Sequence, residues 1–278
     1  MKTITLNSGT SIPAFGYGTW QTAPSVCREA TLCALQTGFR HIDTASLYKN
    51  EAEVGEAVRE SGIPRGQLFI TTKVWNTERG YGRTLRSFQD SLDRLGMEYV
   101  DLFLIHWPAV SSQYDCWKEL NAETWKAMEE LFEQGRARAI GVSNFMPRHL
   151  QPLLDSARIV PAVNQIEYHP GWMQQECVDF CRDKGIALEA WSPLANGDAF
   201  RMPLLQELSR KYGRSISQIV LQWVMSHGVI PLSKSVTPSR IAENFASTEF
   251  VLAPEDISRI DALEPCGGKC RNPDIVKY

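Results

Sequence analysis

Asp43 and Tyr48 stand five residues apart in His41-Ile-Asp-Thr-Ala-Ser-Leu-Tyr48, where an apolar run gives way to ionisable groups. Two further apolar runs end the same way, Leu68-Phe-Ile-Thr-Thr-Lys73 in a lysine and Val100-Asp-Leu-Phe-Leu-Ile-His106 in a histidine. A tyrosine of ordinary pKa, about 10, is a poor acid–base group at neutral pH. A lysine ammonium beside it favours tyrosinate and is expected to lower that pKa. An aspartate paired with the lysine keeps the lysine charged and in place. A histidine near the phenol can hydrogen-bond a carbonyl oxygen or relay a proton. The set suits carbonyl reduction, with Tyr48 giving the proton that a developing alkoxide needs. No side chain supplies a hydride, so this chemistry calls for a cofactor. Lys73 at a strand end could instead form a Schiff base.

The elements that must bring these residues together alternate along the chain. Residues 3–14 alternate around Asn-Ser-Gly and predict a hairpin. Strand-like runs follow at 15–20, 39–43, 68–73, 100–106, 137–143, 162–166, 187–191 and 229–232. Helical patterns lie between and after them, at 24–37, 51–60, 84–95, 122–133, 148–156, 174–184, 203–212, 216–227, 239–247 and 254–263. Asn50 is expected to cap the helix at 51, and Ser215 with Gln218 forms a capping-box pattern. The strands are apolar throughout rather than alternating, as in a parallel sheet covered by helices. Eight strand-then-helix units without a linker predict one (β/α)8 TIM barrel domain over residues 1–278, in preference to an open doubly wound sheet. Asp43, Lys73 and His106 then sit at the C-terminal ends of strands two, three and four, the face that carries chemistry in such barrels. The hairpin is expected to plug the opposite mouth. The connections 108–121 and 192–202, with the tail at 264–278, are expected to cover the active face.

Composition narrows the partners. A net charge of −3 argues against nucleic acid. No apolar run approaches the ~18 residues of a membrane span, and the N-terminus lacks the apolar core of a signal peptide. Seven scattered cysteines fit reduced thiols in a cytoplasmic protein. Cys177 with Cys181, and Cys266 with Cys270, lack the spacing of common zinc sites, so no metal is expected.

In barrel order the chain carries Gly18-Thr-Trp20, His41-Ile-Asp-Thr-Ala45 with Tyr48-Lys-Asn-Glu51, Thr71-Thr-Lys73 and Leu102-Phe-Leu-Ile-His-Trp-Pro108. It continues with Ile140-Gly-Val-Ser-Asn-Phe145, Val163-Asn-Gln-Ile-Glu-Tyr-His-Pro170, Ala190-Trp-Ser-Pro-Leu194 and Lys234-Ser235 followed by Arg240-Ile-Ala-Glu-Asn244. From about Pro13 to about Glu264 the sequence resembles the aldo-keto reductases. Trp191, where most of that family carries tyrosine, looks like its prokaryotic diketogluconate reductase and prostaglandin F synthase-like branches. The resemblance implies Asp43, Tyr48, Lys73 and His106 as a catalytic tetrad, and NADPH bound without a Rossmann fold. Indeed Gly16-Tyr-Gly18 is not continued into a dinucleotide fingerprint. It implies Ser143, Asn144 and Gln165 at the nicotinamide carboxamide and Trp191 against the nicotinamide ring. It places Lys234, Ser235 and Arg240 at the 2′-phosphate and Glu243 and Asn244 at the adenine, which favours NADPH over NADH. Further cofactor contacts are implied for Gly18, Thr19, Trp20, Ser192, Leu194 and Val236. Trp20, Trp75 and Trp107 match the walls of the substrate pocket, beside Tyr48 and His106.

The expectation is an NADP(H)-dependent, monomeric reductase of a small-molecule aldehyde or ketone. A non-catalytic barrel that binds NADPH as a redox-sensing subunit is the rival from another class, and the intact tetrad disfavours it. Tyr48 and the cofactor motifs weigh against a Schiff-base aldolase. His41 and His169 are expected to be structural. The sequence does not name the substrate.

Overall fold

The computed structural model describes residues 2–265, 268–269 and 271–276. The hairpin pairs β1 (Thr3–Thr5) antiparallel to β2 (Ser11–Pro13). Eight parallel strands follow: β3 (Gly16–Gly18), β4 (His41–Asp43), β5 (Phe69–Val74), β6 (Leu102–Ile105), β7 (Ile140–Ser143), β8 (Val163–Glu167), β9 (Ala187–Trp191) and β10 (Ile230–Ser233). Each pairs with its neighbour in sequence, and β10 pairs with β3 to close a barrel. The expected (β/α)8 architecture is present, with the separate hairpin below it.

The helices fall where amphipathic patterns place them. In α3 (Tyr81–Leu95), Phe88, Leu92 and Leu95 are buried, and Gly96 ends the helix in the left-handed conformation. Gly96 fits there because it carries no Cβ. The Ser215–Gln218 capping box holds the start of α8 (Ile216–Ser226). Two expectations are corrected. Asn50 precedes α2 (Glu51–Glu60), but its side chain does not cap it. It donates instead to the carbonyls of Thr19 and Thr22 and accepts from Thr44, tying the β3 and β4 ends together. The connection after β6 is mostly helical, a 3-10 turn at Ser111–Cys116 running into α4 (Trp117–Glu133), because Trp117 begins that helix rather than Ala122.

One core lies between the strands and the helices, and a second fills the barrel floor. Leu6 and Ile12 of the hairpin pack there against Phe69, Leu102 and Ile230 at the N-terminal ends of the strands. Asn7 donates to the Pro161 carbonyl and Thr10 to that of Arg138, fixing the hairpin across that mouth. Among the described residues no helix is long and apolar enough to cross a membrane.

Candidate active site

The C-terminal ends of the strands enclose a cleft of about 320 Å³. Register puts Asp43 beside Gly18 on one side and Thr71 on the other, with Lys73 one strand further on beside Leu104. The Lys73 ammonium donates to both Asp43 carboxylate oxygens at 2.7 Å, to the Thr44 carbonyl at 3.0 Å and to the Tyr48 hydroxyl at 3.2 Å. Tyr48 reaches this point on a single 3-10 turn, Ser46–Tyr48, after β4. Its ring lies 4.8 Å from Trp20 and 5.7 Å edge-on from His106, centroid to centroid. Trp75 also meets His106 edge-on, at 5.0 Å between centroids.

The charges behave differently from the expectation. Burial pushes the Tyr48 phenol up to about 12, and the pull of Lys73 only partly offsets this. Asp43 opposes that pull, since its carboxylate holds Lys73 and itself repels a tyrosinate. The ring is half-exposed on the cleft, and the hydroxyl end carries this effect. Lys73 is fully buried. Burial alone would lower its pKa, but Asp43 and Tyr48 more than offset that and raise it. An ammonium held this way has no free lone pair, so a Schiff base at Lys73 is disfavoured. Burial, then the Lys73 charge, holds His106 well below the usual imidazole range, so its ring is neutral. Its Nδ1 is buried without a hydrogen-bond partner.

The next three strands build the adjoining wall. Asn144 follows β7 with a φ of 65°, a conformation that asparagine tolerates. Its Nδ2 donates to the His106 carbonyl at 2.9 Å and to the Ser143 hydroxyl at 3.0 Å. Trp191 at the end of β9 donates from its indole nitrogen to Asn144 Oδ1 at 2.8 Å, which fixes the ring. Gln165 on β8 donates from Nε2 to Asp43 Oδ2 at 2.9 Å and to Glu189 Oε2 at 2.7 Å. Ser192 and Leu194 line the cleft beyond Trp191, and Ser192 has a φ of 52°.

At the far end Lys234 lines the cleft and donates to the Gln21 carbonyl. Beside it Ser233 Oγ is buried without a partner. Ser235, Val236, Arg240, Glu243 and Asn244 lie just beyond, in the turn before α9 (Pro238–Phe245) and on it, and do not line the cleft. Val236 and Arg240 are exposed, Asn244 is buried, and Glu243 accepts from the Ser215 hydroxyl. Gly18 and Trp20 line the cleft, whereas Thr19 is fully buried with its hydroxyl donated to the Asp43 carbonyl. Trp75 and Trp107 complete the wall around His106.

Residues that the motifs did not mark also reach the site. Glu189 sits beneath Gln165, and a carboxyl in the middle of the apolar strand Ala-Leu-Glu-Ala-Trp was the available signal. Lys269 and Arg271 bring the tail to the cleft. Asp274 anchors it: Arg148 donates to the carboxylate at 2.7 Å, and His149 Nε2 lies 2.6 Å from it. Because Met146 donates its N–H to His149 Nδ1, His149 Nε2 carries the proton given to Asp274. Val276 packs on Trp107 and Val110. His41 and His169 are fully buried, outside the cleft lining. Cys177 and Cys181 are free thiols that both contact Asn164, whereas Cys266 and Cys270 lie outside the described residues. Among the described residues no group of three or more His, Cys, Asp or Glu is arranged to hold a metal.

The chain is similar over nearly its whole length to known proteins. The pattern of the Aldo/keto reductase family matches residues 13–265. The glyoxal reductase of Bacillus subtilis is 43% identical over 277 residues, covering 99% of this chain and 98% of that protein. The 9,11-endoperoxide prostaglandin H2 reductase of Trypanosoma cruzi is 42% identical, covering 94% and 90%. The crystal structure of an aldo/keto reductase from Brucella melitensis superposes with a TM-score of 0.88 at 44% identity, covering 94% of this chain and 98% of that one. A variant of the protein Gox0644 solved in complex with NADPH gives 0.92 at 36% identity, covering 100% and 99%. The chain belongs to the aldo/keto reductase family.

Proposed function

We propose that the chain is an NADPH-dependent reductase that converts aldehyde or ketone carbonyls to alcohols, with Tyr48 as the proton donor. The observation that carries this is the buried Asp43–Lys73–Tyr48 chain, which ends with the phenol on the cleft wall. The cleft suits an extended dinucleotide. Trp191 offers a fixed indole face, Ser143, Asn144 and Gln165 offer amide and hydroxyl groups beside it, and Lys234 stands at the other end. The unpartnered Ser233 hydroxyl beside Lys234 fits a polar ligand atom. When bound, NADPH supplies the hydride that the carbonyl carbon requires.

The side chains do the rest. Ser143, Asn144 and Gln165 would hold the carboxamide, and Trp191 would offer its indole face to the nicotinamide. Lys234, Ser235 and Arg240 would hold the 2′-phosphate and Glu243 and Asn244 the adenine, beyond the cleft itself, while Gly18, Trp20, Ser192 and Leu194 would line the channel, with Thr19 and Val236 beside it. Trp20, Trp75 and Trp107 wall the substrate and exclude water. Neutral His106 orients the carbonyl oxygen by a hydrogen bond. Tyr48 transfers its proton to that oxygen as negative charge develops. Lys73 then stabilises the tyrosinate, and Asp43 holds Lys73 in place. The same groups reversed oxidise an alcohol. A single domain over 1–278, a monomer, a cytoplasmic location and the absence of a nucleic-acid partner complete the reading. The net charge of −3 and, among the described residues, the free thiols support the last two.

Tyr48→Phe should lower kcat for an aromatic aldehyde by about 10²-fold or more, while NADPH binding, followed by its fluorescence, stays within a few-fold of wild type. Near wild-type turnover in the phenylalanine variant would remove Tyr48 from its role.

A further inference from the structure

Glu189 occupies the middle of β9, fully buried, directly beside Gln165 in register. The Gln165 amide has two hydrogens and directs both inward, one to Asp43 and one to Glu189. That fixes which way the amide points. Its nitrogen is committed to the two carboxyl groups, and the side chain lines the cleft. With Asp43 alone as acceptor, only one hydrogen would be engaged, and the amide could rotate. On its other side Glu189 Oε1 lies 3.5 Å from His41 Nε2, and His41 Nε2 lies 3.1 Å from the Thr71 hydroxyl.

We propose that Glu189 is a positioning residue for carbonyl reduction: acting through Gln165, it fixes the amide that faces the cofactor and sets the charge behind the Asp43–Lys73–Tyr48 chain. The inference rests on the reductase reading above.

The charges facing Glu189 are few. β4 presents His41 and Asp43, β5 presents Lys73, β8 presents Gln165, and β10 presents the apolar Ile230 and Pro231. Burial first and the Lys73 charge second lower His41 to about 3, so it is neutral. Lys73 is already matched by Asp43. An ionised Glu189 would therefore leave an uncompensated negative charge out of water. Burial, with the Asp43 charge behind it, pushes the Glu189 carboxyl up to about 8. At neutral pH Glu189 is a neutral acid that accepts from Gln165. Above that point its ionisation adds a negative charge behind Asp43, so Tyr48 holds its proton more tightly and transfers it more slowly.

The test compares wild type with Glu189→Gln and Glu189→Leu, measuring kcat for reduction of an aromatic aldehyde from pH 6 to 9.5 alongside the NADPH dissociation constant. In wild type kcat should fall as pH rises through about 8. Glu189→Gln keeps the acceptor without the ionisation. It should stay within about threefold of wild type at pH 7 and lose the alkaline fall. Glu189→Leu should reduce kcat about tenfold at pH 7 and weaken NADPH binding. A fall in Glu189→Gln that matches wild type would overturn the proposal, and so would a leucine variant equal to wild type in both measurements. If the leucine variant does not fold, the glutamine profile alone decides. Wild-type protein that fails to reduce the aldehyde would sink the reductase reading, and the role of Glu189 with it. Wild-type turnover with an unaltered glutamine profile would sink only the latter.

Discussion

At the scale of single residues the structure revises how Tyr48 works. From the sequence, a lysine near a tyrosine reads as a device for making tyrosinate. In the folded chain Lys73 is matched by Asp43, so burial decides and the phenol rises to about 12. A tyrosine raised this far stays protonated across the physiological range, which suits an acid and handicaps a base. Reduction should therefore not be limited by loss of the Tyr48 proton below pH 9. Oxidation of the alcohol, which needs tyrosinate, should accelerate about tenfold per pH unit between 7 and 9. Steady-state kcat/KM for the alcohol with NADP+ checks this, and a pH-independent oxidation would contradict it. The common face of Asp43, Lys73 and His106 was legible because each ends an apolar run, and Tyr48 drew notice because it follows Asp43 by only five residues. The sign of the Tyr48 shift was not legible, because it depends on depth and on the distance from Lys73 to Asp43. The bridge from Gln165 to Asp43 was invisible for a similar reason, since 122 positions separate the two in the chain.

At the scale of elements, the eight strands and most helix limits follow from apolar runs and their polar stops. The exceptions have a common cause. Asn50 looks like a cap locally, but the β3 and β4 ends offer its amide better partners than its own helix does. The tail has no periodicity, because its order comes from point contacts: the Lys269 N–H on Glu167, Asp274 on Arg148 and His149, and Val276 on Trp107. None of these is written in local sequence. If the Asp274 clasp holds the tail against the cleft, Asp274→Ala should raise KM for carbonyl substrates about three- to tenfold, the equivalent of about one lost hydrogen bond. KM for NADPH should change much less, because the clasp sits toward Trp107 rather than toward Lys234. Equal effects on both constants would place the tail over the cofactor instead.

Across the whole molecule, chain order is also the order of the groove. Strands β4 to β6 bring the tetrad, β7 to β9 the amide wall and the indole face, and β10 leads to Lys234. In the reductase proposed above, grip on the cofactor's phosphate end would thus be separated from the chemistry. Replacing both Lys234 and Arg240 by alanine should raise KM for NADPH about 10- to 100-fold, leave KM for NADH nearly unchanged and leave kcat within a few-fold. A parallel loss with both cofactors would remove these residues from the 2′-phosphate. The hairpin beneath the barrel bears on the same reaction from the other end. Leu6 and Ile12 pack hydrocarbon into the lower mouth, which screens the buried ion pair from water on that side. In the reductase proposed above, Tyr48 would thus work like an airlock with one hatch. Once substrate and cofactor have filled the cleft, the phenol can give up the proton it holds but cannot collect another. Resetting the site for the next turnover waits for the alcohol to leave by the way it came.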